Sequence, residues 1–471
     1  EVSLVGTVLF GGSVSTSASG FAILRLLSGG FTFQPGSQVL GDGSIVADAT
    51  DAVVTVSTNV GMSGGQFNVH QGFTTVTSGV VFSDAVQVLV SEPSLDARLL
   101  FVGAEYSTVP RLAMRSGATV DVVGKLRSTI FLDMTGGVFN VSGLATLHDV
   151  SQVLATVGGY GTITVEGFYS WTSGPWVNPG ATVFAGEAGE CGLEMIGGEA
   201  KTIAHRLVTT ECDAQWFGGL ISTSNGARWW QQSHTFSIEH SSSSSFDWVV
   251  DGSSTKLVLD GTLRKISGTR NVLNVRIESS LGSDIDAGAF ALDLAGSGSI
   301  AGFISTSAGG VLRFVSGDYL ITSTAEVRGS GVVQLEHLDG DDVVVDLHGK
   351  VTQLGGHWNI LIGKLNIYDG VTYSSSVRVV VSGSGEANVI AGGHVEIPLL
   401  SVISAGAHVN VLGTLASTGL VHITAGFVTV TGALNTNETQ LATGEITGTG
   451  DVMMNGQLTW YSGIISGSGR L

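Results

Sequence analysis

The feature that most constrains this chain is a short run of alternating apolar residues closed by a glycine, recurring with the same unequal spacing in two distant places. Val409 and Val411 precede Gly413, Val428 and Val430 precede Gly432, and Val452 and Met454 precede Gly456, in steps of 19 and 24 residues. Far upstream, Val120 and Val122 precede Gly124, Phe139 and Val141 precede Gly143, and Ile163 and Val165 precede Gly167, again in steps of 19 and 24. A period of two marks a strand with one buried face, and glycines at fixed offsets supply the bends between strands. No segment combines a 3.6-residue period with helix caps. A strand-turn-strand coil of about 20 residues cannot bury its apolar face alone, so successive coils must stack, about 4.8 Å apart, in parallel ladders. The expectation is an all-β, parallel β-solenoid of about 20 to 23 coils, each of roughly 19 to 24 residues. Right-handed winding follows from the general preference of parallel crossovers.

A longer repeat overlies the short one. GYGTITVEGFYSWTSG, residues 159–174, shares its plan with GTGDVMMNGQLTWYSG, residues 448–463, an offset of 448 − 159 = 289 residues. Both open on Gly-x-Gly, alternate, and place a tryptophan (Trp171, Trp460) two residues before Ser-Gly. With small drifts, LRLLSG at 24–29 answers to LRFVSG at 312–317, and GGQFNV at 64–69 answers to GGHWNI at 355–360. The expected organisation is the later half of one unit over 1–158, a complete unit over 159–447 and the start of a third over 448–471. All three belong to one continuous solenoid that reads as part of a longer tandem array.

Composition removes several functional classes. A formal charge of −19 repels phosphate backbones, and no Lys/Arg cluster rises above it, so nucleic acid is not an expected partner. Mean hydropathy is +0.36, yet no apolar run reaches the length that a membrane-spanning helix requires. The hydrophobicity is spread through short strands instead. Extracellular or cell-surface placement is expected, with Asn140 and Asn437 each opening an N-x-S/T triplet that would make a secreted form a glycoprotein.

Few residues suggest chemistry. Cys191 and Cys212 are 21 residues apart, close to one coil, so they would face each other on neighbouring coils within disulfide range; two packed thiols are the alternative. Asp339, Asp341 and Asp342 form an acidic corner that offers oxygens for calcium, although no EF-hand or nonapeptide spacing supports more than a hydrated turn. Otherwise no cofactor is expected. No local motif fixes a set of carboxylates with a base, so catalysis is not expected. His234 and His240 read as surface residues.

Six of the eight tryptophans fall between Gly159 and Val250, and the shared position of Trp171 and Trp460 favours packing over sugar stacking. Trp229 and Trp230 differ, because neighbours on a strand face opposite sides. One of the pair should therefore be exposed, or covered by a loop or partner, which makes Trp229 and Trp230 the candidate contact surface. Thr-x-Thr pairs such as Thr162 and Thr164 are too isolated for an ice-binding array.

The run GTGDVMMNGQLTWYSGIISGSG, residues 448–469, and less closely residues 159–180, resembles the degenerate Gly/Thr/Val/Trp repeats of large secreted, right-handed, pectin-lyase-like β-helix proteins of the adhesin and surface-filament type. That resemblance implies a structural or adhesive segment of a giant extracellular protein, whose partners are other copies of the array or surface glycans. It carries over no catalytic residues. A carbohydrate-binding or carbohydrate-cleaving β-helix using the 171–250 region is the alternative.

Overall fold

The computed structural model describes residues 1–16, 22–91, 97–186, 190–239, 247–252, 254–337, 342–374, 376–383 and 387–471. They form two compact units, one of Glu1–Trp230 with Val250–Thr255 and one of Gln231–Val249 with Lys256–Leu471. The boundaries of the 289-residue repeat, after 158 and after 447, fall inside these units. Both units are parallel β-solenoids, with about 21 turns in all and 63% strand, and no helix occurs among the described residues. Among the described residues, neighbouring strands run the same way apart from one isolated antiparallel bridge between Thr135 and Leu154.

Each turn contributes to three ladders. In the first unit, the strand Leu144–Val153 serves two of them around a corner: Leu144 to Leu147 pair with Lys125 to Ser128, and Asp149 to Gln152 pair with Phe131 to Met134. The register jumps between Ser128 and Phe131, where the chain bends. The third ladder takes Thr156–Gly158 against Val138–Val141.

Alternation turns every second side chain inward, and the register stacks those side chains into columns. In the first unit Phe31, Val54, Thr74, Leu99, Val120, Phe139 and Val157 form one such column, all buried. In the second, Leu292, Leu312, Val333, Trp358, Val379, Leu400 and Val421 form another. Burying a Val, Leu or Phe side chain contributes about 1.5–3 kcal/mol relative to leaving it exposed, so each column is a main source of stability.

The Gly-x-Gly that opens each landmark has a steric cause. A Cβ on Gly161 would lie 2.1 Å from the Gly143 carbonyl oxygen, and one on Gly450 would lie 2.0 Å from that of Gly432. Corner backbone rests directly on corner backbone of the preceding turn, which leaves room for no side chain. Gly159 and Gly448 add positive φ values of 94° and 131°, a backbone state that other residues rarely adopt.

Candidate functional site

Five of the six tryptophans between Gly159 and Val250 are interior. Trp171, Trp176, Trp216 and Trp229 in the first unit, and Trp248 in the second, are at most 1% exposed. The Trp171 and Trp176 rings stack with centroids 4.1 Å apart and planes within 5°. Gln152 supplies the polar partner for this aromatic core. Its Oε1 accepts hydrogen bonds from the Tyr169 hydroxyl (2.5 Å) and the Trp176 indole (2.8 Å), while its Nε2 donates to the Ala155 carbonyl (2.7 Å). Burial without a charged partner strong enough to offset it raises the Tyr169 pKa. These rings cannot stack on a sugar. Trp229 points in and donates to Thr210 Oγ1 (3.2 Å), whereas Trp230 points out and is 38% exposed.

The two landmark tryptophans hold equivalent local positions. Trp171 pairs in register with Gln152, and Trp460 pairs with Leu441, both partners being fully buried. Trp460 is nonetheless 52% exposed, because its strand is covered by a turn on one side only.

Buried cations serve the corners. Lys201 lies in the interior, with its Nζ donating to the carbonyls of Ile196 (2.6 Å), Glu199 (3.0 Å), Gly218 (3.0 Å) and Gly197 (3.1 Å). Burial pushes its pKa down to about 8, and Glu199 offsets part of that. Arg206, also buried, donates to Thr182 Oγ1 (2.7 Å) and to the carbonyls of Ala181 (3.0 Å) and Gly159 (3.2 Å), and burial lowers its pKa to about 10. Glycine-rich corners leave carbonyls without ladder partners, and these side chains satisfy them.

Cys191 and Cys212 are joined by a disulfide with Cα atoms 5.7 Å apart. Asn140 is half-buried on its strand, its Nδ2 donating to Asp121 Oδ1 (3.1 Å); Asn437 is exposed at a corner. Asp339, Asp341 and His240 lie outside the described residues. Asp342 is exposed at the start of a strand, and Asp346 accepts a hydrogen bond from Asn366 (2.6 Å). Among the described residues, no group of three or more His, Cys, Asp or Glu is placed to hold a metal ion.

Two outward surfaces carry the polar groups best arranged for contacts. In the second unit, Arg264, Asp286, Ser305 and Arg328 stack on consecutive turns. Arg264 pairs with Asp286 (3.0 Å); Arg328 pairs with Asp284 (2.8 Å), donates to Ser305 (2.8 Å) and sits 3.9 Å above the Phe303 ring. These groups line an open cavity of about 590 Å³, and the charges named here neutralise one another.

In the first unit, Gln66, Gln87, Arg111, Phe131 and Asp149 form an outward column over five consecutive turns. Phe168 continues it, since Val150 pairs with Tyr169 and the Phe168 amide donates to Asp149 Oδ1 (2.8 Å). Two cavities of about 400 and 300 Å³ run along this column and share Gln87 and Arg111.

Neither surface is anticipated by the sequence reading. The steps along the first-unit column are 21, 24, 20 and 18 residues, so membership is visible only once the register is known. The one available signal is outward parity within each strand. No family model, curated protein or solved structure matches the chain.

Proposed function

We propose that the chain is a structural or adhesive segment of an extracellular or cell-surface repeat protein, of the right-handed β-helix adhesin or surface-filament kind, acting as a stiff rod. The observation that carries this reading is the way charges are spent on the outer faces. Arg25 with Asp48, Arg98 with Asp121, Arg115 with Asp133, Lys256 with Glu278 and Arg264 with Asp286 are pairs 23, 23, 18, 22 and 22 residues apart, each joining one turn to the next. Each such pair is worth little alone, but pairs that each tie one turn to the next together oppose shear between turns. The sealed aromatic core and the buried corner cations favour rigidity in the same way. A disulfide suits the oxidising environment of a secreted protein. Partners under this reading are further copies of the array or surface glycans.

The experiment is incubation of the purified chain with a panel of neutral and acidic polysaccharides. The structural reading expects no new reducing ends and no unsaturated products. Their appearance, abolished by heat-unfolding the protein, replaces it with the carbohydrate-cleaving alternative.

A further inference from the structure

We propose that the outward column Gln66, Gln87, Arg111, Phe131, Asp149, Phe168 is a binding groove for an extended, neutral polysaccharide chain. This rests on the reading in which glycans are the partner, and it moves their site away from Trp171, Trp176, Trp216, Trp229 and Trp248, whose rings are buried.

Three observations converge. First, Arg111 is exposed and, among the described residues, its guanidinium has no hydrogen-bond or carboxylate partner, whereas Arg25, Arg115, Arg264 and Arg328 on comparable outward positions each have one. A fork of donors is therefore left open to an external acceptor. Second, Phe131 and Phe168 are 39% and 49% exposed and sit two turns apart, about 10 Å along the column. That is the interval at which alternate sugars of an extended β-linked chain present the same face, so both rings can lie under sugars of one strand. An exposed aromatic face offers apolar area to the C–H face of a pyranose.

Third, the remaining groups are those that read hydroxyls. Gln66 and Gln87 carry amides, each donor and acceptor, and Gln66 reaches Gln87 at 3.4 Å. The Asp149 carboxylate, between the two phenylalanines, has one oxygen engaged by the Phe168 amide and by His148 and keeps further acceptor capacity. Beside the column, Ala113, Asp133, Ser151 and Ser170 occupy the neighbouring ladder positions; Ala113 is buried and the Asp133 carboxylate is held by Arg115 at 2.7 Å.

Charge selects among glycans. Within the column Arg111 and Asp149 cancel, Asp84 and Asp133 also line its cavities, and the protein as a whole carries −19. A polyuronate would bring a carboxylate against Asp149 wherever it brought one to Arg111. A neutral chain meets neither penalty.

The test is calorimetric titration of the full chain with cellohexaose and with mannohexaose, and with an oligogalacturonate as the acidic probe. Expected is binding of at least one neutral hexamer, weakened about tenfold in each of F131A and F168A and to a similar degree in R111Q, with F427A of the second unit unchanged. All four variants should remain folded at the titration temperature, because each replaced side chain lies at the surface. Undiminished hexamer binding in F131A and F168A overturns the groove while leaving a glycan partner elsewhere on the chain. Failure to bind any of the three probes overturns both. Tighter binding of the oligogalacturonate than of either hexamer overturns the neutral-chain assignment.

Discussion

Cys191 and Cys212 face each other across two consecutive turns, 5.7 Å apart at Cα, one residue before the paired positions Gly192 and Asp213. The bridge thus closes a loop of one turn and pins the register there. Closing a loop of this length stabilises by about 3 kcal/mol, chiefly by restricting the unfolded chain. The C191S/C212S variant should lose roughly that amount in urea unfolding, and reductant should lower the midpoint of the wild type but leave the variant unmoved.

Inward and outward tryptophans should differ sharply. Trp358 sits in the column between Val333 and Val379 with no exposure, and W358A should cost about 3–5 kcal/mol by opening a cavity. Trp230 faces out, so W230A should cost no more than about 1 kcal/mol. Paired denaturation curves decide this, and equal costs would contradict the assigned parity.

Stability should rise on the alkaline side of neutrality. Lys265 is buried with its ammonium donating to Asn271, and burial pushes its pKa from 10.5 down to about 8. Lys201 is lowered to about 8 as well. Below pH 8 the folded and unfolded chains are both protonated at these sites. Between about pH 8 and 10 the unfolded chain keeps protons that the folded one has released, so folding becomes more favourable as pH rises. Urea midpoints at pH 7.5 and 9.5 should show the increase, and K265M should show a smaller one.

Register can be trapped chemically. Thr429 and Thr447 are stacked outward positions on adjacent turns, 18 residues apart. A spacing of about 4.8 Å lies within disulfide range, so T429C/T447C should oxidise readily to a single intramolecular bridge. T429C paired with a cysteine at the inward position Ile446 should not, and the contrast is read by mobility on non-reducing gels.

Much of the fold is legible in the sequence because a strand's period and a corner's glycine are local signals. Val409 and Val411, or Val120 and Val122, announce their inward faces without reference to any other turn, and the 21-residue spacing of Cys191 and Cys212 is close enough to one turn to bring them together. The tryptophan pair follows the parity rule, with Trp229 inside and Trp230 outside. The outer surfaces are not legible in this way. Phe131 and Phe168 are related through Asp149, and Arg264 and Arg328 through two intervening turns of unequal length, so their proximity depends on loop lengths that no strand pattern encodes. Buried Lys201 and Arg206 are likewise not legible, since a charged residue reads as surface until the corner carbonyls that hold it are placed.

The most direct measurement is small-angle X-ray scattering of the whole 471-residue chain in dilute solution. The rod proposed above, with about 21 turns at about 4.8 Å each, predicts a longest dimension of about 100 Å and a radius of gyration of about 30 Å. A value of about 23 Å, that of a compact globule of this length, would contradict the rod.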